Sequence, residues 1–168
     1  MGLLDRIRGR GDDPSRGDDA ASGHDDGGTG ALEAVDPVES IGTRRLTQQE
    51  EAELEGARAA YAEHGIDPAD LSSIAAAYEQ ALARHDGGDE SAADAVAVLG
   101  TAIGDHLVVA GGYHWVMSTD PFGTDLAVEP PRRGVPVVTR MLVAVRWLGR
   151  ERDWVVGVTE HLVRLGRT

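Results

Sequence analysis

Residues 113–138 read YHWVMSTDPFGTDLAVEPPRRGVPVV, and this stretch decides the fold class of the 168-residue chain. Tyr113, Trp115 and Met117 alternate with smaller or more polar residues, which is the period-two pattern of a half-buried strand. Valine is concentrated in the same region: 11 of the 17 valines lie in residues 111–168, and β-branched side chains favour strands. The sequence therefore predicts a strand that begins near Tyr113.

Two further strands are predicted within this stretch. Asp120–Gly123 carries Pro and Gly at positions that a β-turn favours, and Leu126 and Val128 then repeat the period of two. A third, short strand is predicted over residues 135–138, where Pro136 confines it to an edge or a strand end. The whole pattern predicts a small antiparallel meander of three consecutive strands.

Helical spacing dominates the residues before the meander, where most of the alanines lie. Thr47 and Glu50 form a capping-box pattern at the start of a helix over residues 47–64. Apolar residues at i, i+3/i+4 and i+7 predict two more helices, over residues 67–85 and 91–111. We therefore expect about three helices on the N-terminal side of the meander.

Two apolar stripes after the meander predict two C-terminal helices whose stripes face the core. The first stripe is Met141, Val145 and Leu148, and the second is Trp154, Val155, Val158, Leu162 and Leu165. The predicted fold class is therefore α+β: helices, a three-stranded antiparallel meander, then helices, in a single domain over residues 45–168.

The first 44 residues differ in composition from this domain. Residues 1–10 read MGLLDRIRGR and are basic, whereas residues 11–30 contain six Asp and six Gly with almost no apolar side chain. A stretch of that kind cannot bury enough surface to offset the entropy of ordering it. We therefore expect a disordered acidic N-terminal tail.

Charge and composition exclude several classes of protein. The formal net charge is −13, and residues 46–110 carry thirteen acidic side chains against two arginines, so nucleic acid is not expected as a direct ligand. The chain has no cysteine, which excludes disulfides, thiol nucleophiles and Cys-ligated zinc. No unbroken apolar run approaches the ~20 residues of a spanning helix, and no signal peptide is present, so we expect a cytoplasmic protein.

Asp105, His106 and His114 are weak candidates for catalysis. They flank the predicted helix-to-strand turn and could form an acid–base pair, but no nucleophile elbow or P-loop accompanies them. A polar cluster that caps the helix end is the competing interpretation. No cofactor or metal is predicted, because His64, His85 and His106 each lie near a helix C-terminus and match no ligand motif.

The binding candidates are aromatic and arginine side chains, the types that dominate interaction hot spots. They are Trp115, Arg132, Arg133, Arg146 and Trp147. The alternative is structural: the tryptophans lie in the core and the arginines pair with the acidic helices of the same chain.

The chain resembles the bacterial domain-of-unknown-function 3806 family over residues 92–165. The positions that carry the resemblance are Leu99, Gly100, Gly104, Asp105, Trp115, Gly123, Leu126, Pro136, Arg146 and Trp147. Asp105 stands where the family has Glu, and Val145 stands where it has Lys. The resemblance supports the fold and implies no catalytic residue. Independently, Gly100 and Gly104, one helical turn apart, predict either that another part of the chain packs closely on the third helix or that this helix bends.

Together these patterns predict a non-enzymatic bacterial protein-binding module in the cytoplasm; its partner and oligomeric state are left open. One alternative is an enzyme with its site at Asp105, His106 and His114. Another is a peripheral membrane adaptor that uses residues 1–10, where Leu3, Leu4 and Ile7 are apolar and the arginines basic. An isolated helix of ten residues is only marginally stable, so we expect no membrane contact.

Overall fold

The computed structural model describes residues 41–85, 90–121, 123–132 and 134–167, and it has the predicted α+β class. In this part of the chain, five helices of ten or more residues and one of four residues accompany a three-stranded antiparallel sheet. The predicted disordered tail lies outside the described residues as far as position 40, as does the binding candidate Arg133.

The helices are α1 (Gln48–Arg58), α2 (Tyr61–His64), α3 (Leu71–Arg84), α4 (Glu90–Gly111), α5 (Thr139–Leu148) and α6 (Trp154–Arg167). The capping box of α1 is formed, because the Glu50 amide donates to Thr47 Oγ1 and the Thr47 amide donates to the Glu50 carboxylate. The single helix predicted over residues 47–64 is divided after Arg58 into α1 and α2. Asp70 caps α3, which therefore begins later than the predicted start at Asp67.

The sheet contains three strands, as predicted, but one of them is a different segment. Its order is β1 (Gly42–Arg44), β2 (His114–Asp120) and β3 (Gly123–Glu129), with Thr43 opposite Ser118. The strand predicted over residues 135–138 is wrong: it is reduced to a single bridge between Val128 and Val137. Pro136 lacks an N–H for a longer ladder, and α5 begins directly afterwards. The sheet also includes residues that precede the predicted domain boundary at position 45.

Helix α4 runs through the centre of the domain and contacts α1, α3, α5, α6, β2 and β3. Its segment Ala92–Gly111 has a mean hydropathy of 1.5 and is long enough to cross a membrane, contrary to our expectation that the chain holds no such stretch. The most apolar window of this segment is 72% buried inside the domain, which is typical of the core helix of a globular protein.

The two glycines of α4 allow the close packing that their spacing predicts. A Cβ on Gly100 would lie 2.7 Å from the Cα of Arg140, so the start of α5 rests directly on the α4 backbone. A Cβ on Gly104 would overlap the ring of Trp115 on β2. These two positions therefore bring α5 and the sheet against the same helix.

The apolar stripe predicted for α5 is not the face that this helix buries, and the stripe predicted for α6 is confirmed only at Trp154 and Val155, which are buried. On α5 the core face consists of Thr139, Val143, Ala144 and Trp147. Val145 lies about 160° around the helix from Trp147 and is 52% exposed. On α6, Val155, Thr159 and Gly166 are buried, whereas Leu165 is 55% exposed. Gly166 lies against α4, since a Cβ on it would be 3.1 Å from the Gly111 carbonyl oxygen, whereas Val145 and Leu165 remain on a second, outer face.

Candidate functional site

Asp105 is the centre of a hydrogen-bond network that joins four elements. Its Oδ1 accepts from Trp115 Nε1 at 2.9 Å and from Arg58 Nη2 at 2.5 Å. Its Oδ2 accepts from Arg58 Nε at 2.8 Å and from the Tyr61 hydroxyl at 3.0 Å. Because these donors come from α1, α2 and β2, the carboxylate fastens all three elements to α4.

The electrostatics of this network favour a structural anion. Burial alone would raise the pKa of Asp105, but the hydrogen bonds from Arg58 and Trp115 outweigh it and hold the pKa below its ordinary value. Burial, with the adjacent carboxylate, raises the pKa of Tyr61, so its hydroxyl stays protonated and donates. A carboxylate that is ionised and accepts four hydrogen bonds is poorly suited to accept a proton as a general base.

The two histidines paired with Asp105 in the catalytic hypothesis have other partners. His106 is buried, and its Nδ1 lies 2.8 Å from the carbonyl oxygen of Pro68, in the connection between α2 and α3. His114 is exposed on β2, with its Nε2 3.1 Å from the Glu129 carboxylate on β3. Asp105, His106 and His114 therefore each contact a different part of the domain. None of these contacts joins one of the three side chains to another.

The lowered pKa of Asp105 predicts a loss of stability in acid. A carboxyl whose pKa is lower in the folded state contributes fully above its unfolded pKa, about 3.9, and loses that contribution as the pH falls through the folded pKa. We expect the free energy of unfolding to decrease below about pH 4, and to decrease less steeply in Asp105→Asn.

Urea titrations at a series of pH values measure this difference, and equal slopes in both proteins would contradict it. Some acid dependence will remain in the variant, because the guanidinium of Arg44 lowers the pKa of Glu50 to about 2.

The largest described concavity is an apolar groove on the outer face of α5 and α6, with a volume of about 990 Å³. One wall is the extended segment 134–138, which precedes α5. The other walls carry the outward apolar residues of the helices, Met141, Leu142 and Val145 on α5 and Leu162 and Leu165 on α6. Tyr113 lies between them, and its hydroxyl donates to the Leu162 carbonyl at 2.8 Å. We call this feature the apolar groove.

The charge that lines the apolar groove is positive. Of its fourteen described lining residues, the two that carry charge are Arg132 and Arg146. The guanidinium of Arg146 lies 4.7 Å from the ring centroid of Trp154, and its Nη1 donates to the Leu142 carbonyl at 3.2 Å. These contacts hold Arg146 in one position, with its Nε 3.8 Å from the exposed Glu151 carboxylate.

The structure brings two of the five binding candidates together, since Arg132 and Arg146 line the same groove. Trp147 is 1% exposed and packs edge-on against Tyr78, so it belongs to the core. Trp115 lines a separate depression, where its ring lies near Leu54 and Arg58.

The sequence does not predict the apolar members of the groove, because Met141, Val145, Leu162 and Leu165 belong to the stripes that are expected to face the core. The sequence feature that indicates a second apolar face is the number of apolar residues around α5, which is larger than one buried face requires.

Within the described ranges, no group of three or more His, Asp or Glu side chains is placed to hold a metal ion. No family model, curated protein or solved structure matches the chain. The resemblance to the domain-of-unknown-function 3806 family therefore stays a prediction.

Proposed function

We propose that this chain is a non-enzymatic protein-binding module and that the apolar groove is its binding surface. The observation that carries the proposal is the exposure of large apolar side chains in one place. Val135, Val145 and Leu165 are 69%, 52% and 55% exposed, and all three line the groove. Contiguous apolar surface on a soluble domain commonly marks an interaction site, whereas isolated apolar residues need no explanation.

The shape of the groove supports a macromolecular partner. Five of its fourteen described lining residues are exposed, so a small molecule there would remain partly in contact with solvent, whereas typical pockets bury most of their ligand. Arg146, which lies over the buried ring of Trp154, lines the groove, and arginine is one of the residue types found at interaction hot spots. The separate contacts of Asp105, His106 and His114 count against the enzyme alternative.

The remaining parts of the proposal come from the sequence. They are a cytoplasmic location, no nucleic acid as a direct ligand, and the resemblance to the domain-of-unknown-function 3806 family. The membrane alternative depends on residues 1–10, which lie outside the described part of the chain.

Position-specific crosslinking in cell lysate tests the proposal. A photoreactive amino acid placed at Val145 or Val135 of the full chain should give a discrete protein adduct. The same group at Ala83, an exposed position on α3 outside the groove, should not. Leu165→Glu should abolish the adduct without changing the melting temperature, because Leu165 is exposed. Adducts of equal yield at Ala83, or adducts that persist in Leu165→Glu, would show that the groove is not the binding surface.

A further inference from the structure

We infer that the occupant of the apolar groove is an amphipathic α-helix that carries acidic residues beside its apolar face. The inference rests on the proposed function and deepens it by naming the chemistry of the partner. Two features of the groove carry it: the hydrogen bonding of its extended wall and the sign of its charge.

The extended wall is poorly suited to pairing with a strand. Val137 donates to and accepts from Val128, with N–O distances of 2.9 and 3.0 Å, so both of its backbone groups already face β3. Pro136 has no N–H, and the carbonyl of Val138 accepts from Leu142 in the first turn of α5. A partner added as a β-strand needs a row of free backbone groups, which this wall does not supply.

A helix needs only apolar walls, and the groove provides three of them. A helix that docks in a groove inserts side chains at i, i+3/i+4 and i+7 and keeps its own backbone hydrogen bonds internal. The apolar residues of segment 134–138, α5 and α6 can receive such a row of side chains.

The charge of the groove selects among amphipathic helices. Arg132 and Arg146 are its charged lining residues, and residues 111–168 as a whole carry eight arginines against six acidic side chains. The exposed Glu151 carboxylate lies 3.8 Å from Arg146 Nε but is not one of the lining residues. The described side chains that line the groove therefore carry positive charge, although the formal net charge of the chain is −13.

A set of synthetic helices tests the inference by fluorescence anisotropy with the full chain. Three peptides share one leucine face and carry Glu, Gln or Lys on the flanks, and a fourth is the Glu peptide with a central Pro. We expect the Glu peptide to bind about five- to tenfold more tightly than the Gln peptide, and the Lys and Pro peptides to bind weakest. Raising the salt concentration should reduce the advantage of the Glu peptide.

Matched variants locate the effect. Arg132→Glu should abolish the preference for the Glu peptide, whereas Arg84→Glu, the same charge change at an exposed position of α3, should leave it intact. Val145→Glu should abolish binding of all four peptides.

Equal affinities for the Glu, Gln and Lys peptides, with Val145→Glu still abolishing binding, would overturn the inference and leave the proposed function standing. Binding that survives Val145→Glu would contradict both. Self-association that Val145→Glu removes would identify a second copy of the chain as the occupant and would also overturn the inference, as would binding of none of the peptides.

Discussion

Replacing Asp105 with alanine should lower the free energy of unfolding by about 3–5 kcal/mol, the range found when one partner of a buried ion pair is removed. Asp105 is 8% exposed, and its carboxylate is the acceptor for three side chains. Without it, the buried hydroxyl of Tyr61 and the indole N–H of Trp115 lose their acceptor, and Arg58 loses its strongest partner. Guanidinium denaturation of the full chain measures the change.

A surface carboxylate provides the control for this experiment. Glu53 on α1 pairs with Arg140 on α5 at 2.5 Å, but its side chain is 54% exposed. Glu53→Ala should therefore lower the free energy of unfolding by no more than about 1 kcal/mol. If Asp105→Ala is no more destabilising than Glu53→Ala, the network around Asp105 does not hold α1, α2 and β2 against α4.

The second large effect is a difference in sign between two Gly→Ala substitutions in helices. Gly56→Ala on α1 should raise the free energy of unfolding by about 0.5–1 kcal/mol, because a Cβ there meets nothing within 4 Å and Ala favours the helix. Gly100→Ala on α4 should instead lower it by about 1–3 kcal/mol. At Gly100 the new Cβ would lie 2.7 Å from Arg140 Cα and 2.9 Å from Arg140 N, and these backbone atoms cannot move without shifting α5.

Thermal and denaturant unfolding of the two variants and of the parent chain measure the sign of each change in the free energy of unfolding. Because both substitutions make the same chemical change in a helix, the helix propensity of alanine is common to them. A stabilising Gly100→Ala would mean that α5 does not rest directly on the α4 backbone.

Local patterns predicted much of this fold correctly. The period of two in residues 113–129 predicted β2 and β3, and these strands pair in the expected antiparallel manner around the turn after Asp120. The Thr47–Glu50 capping box is formed in α1. The spacing of Gly100 and Gly104 predicted a close approach, although it did not identify α5 and Trp115 as the neighbours. Each of these features depends on residues that are near one another in the chain.

The errors involve contacts between distant segments. β1 has three residues, too few to show a period, and it joins the sheet only because the fold brings Gly42 beside Thr119. The network of Asp105 was not recognised because its donors Arg58 and Tyr61 precede it by 47 and 44 residues. We placed Asp105 in a polar cluster at the end of the helix, without its partners.

The sequence by itself determined the α+β class, the strands β2 and β3, the acidic character of the chain and its lack of cysteine, because these properties are local or compositional. Only the tertiary structure decided which apolar face of each C-terminal helix is buried. Periodicity shows that a helix has an apolar face, but it does not show which face is buried when the helix has two. The small residues Ala144, Thr159 and Gly166 lie in buried contacts, and Val145 and Leu165 are left outside to form the apolar groove. That choice depends on neighbours that are distant in the sequence, since Trp147 packs against Tyr78 of α3 and Gly166 against Gly111 of α4.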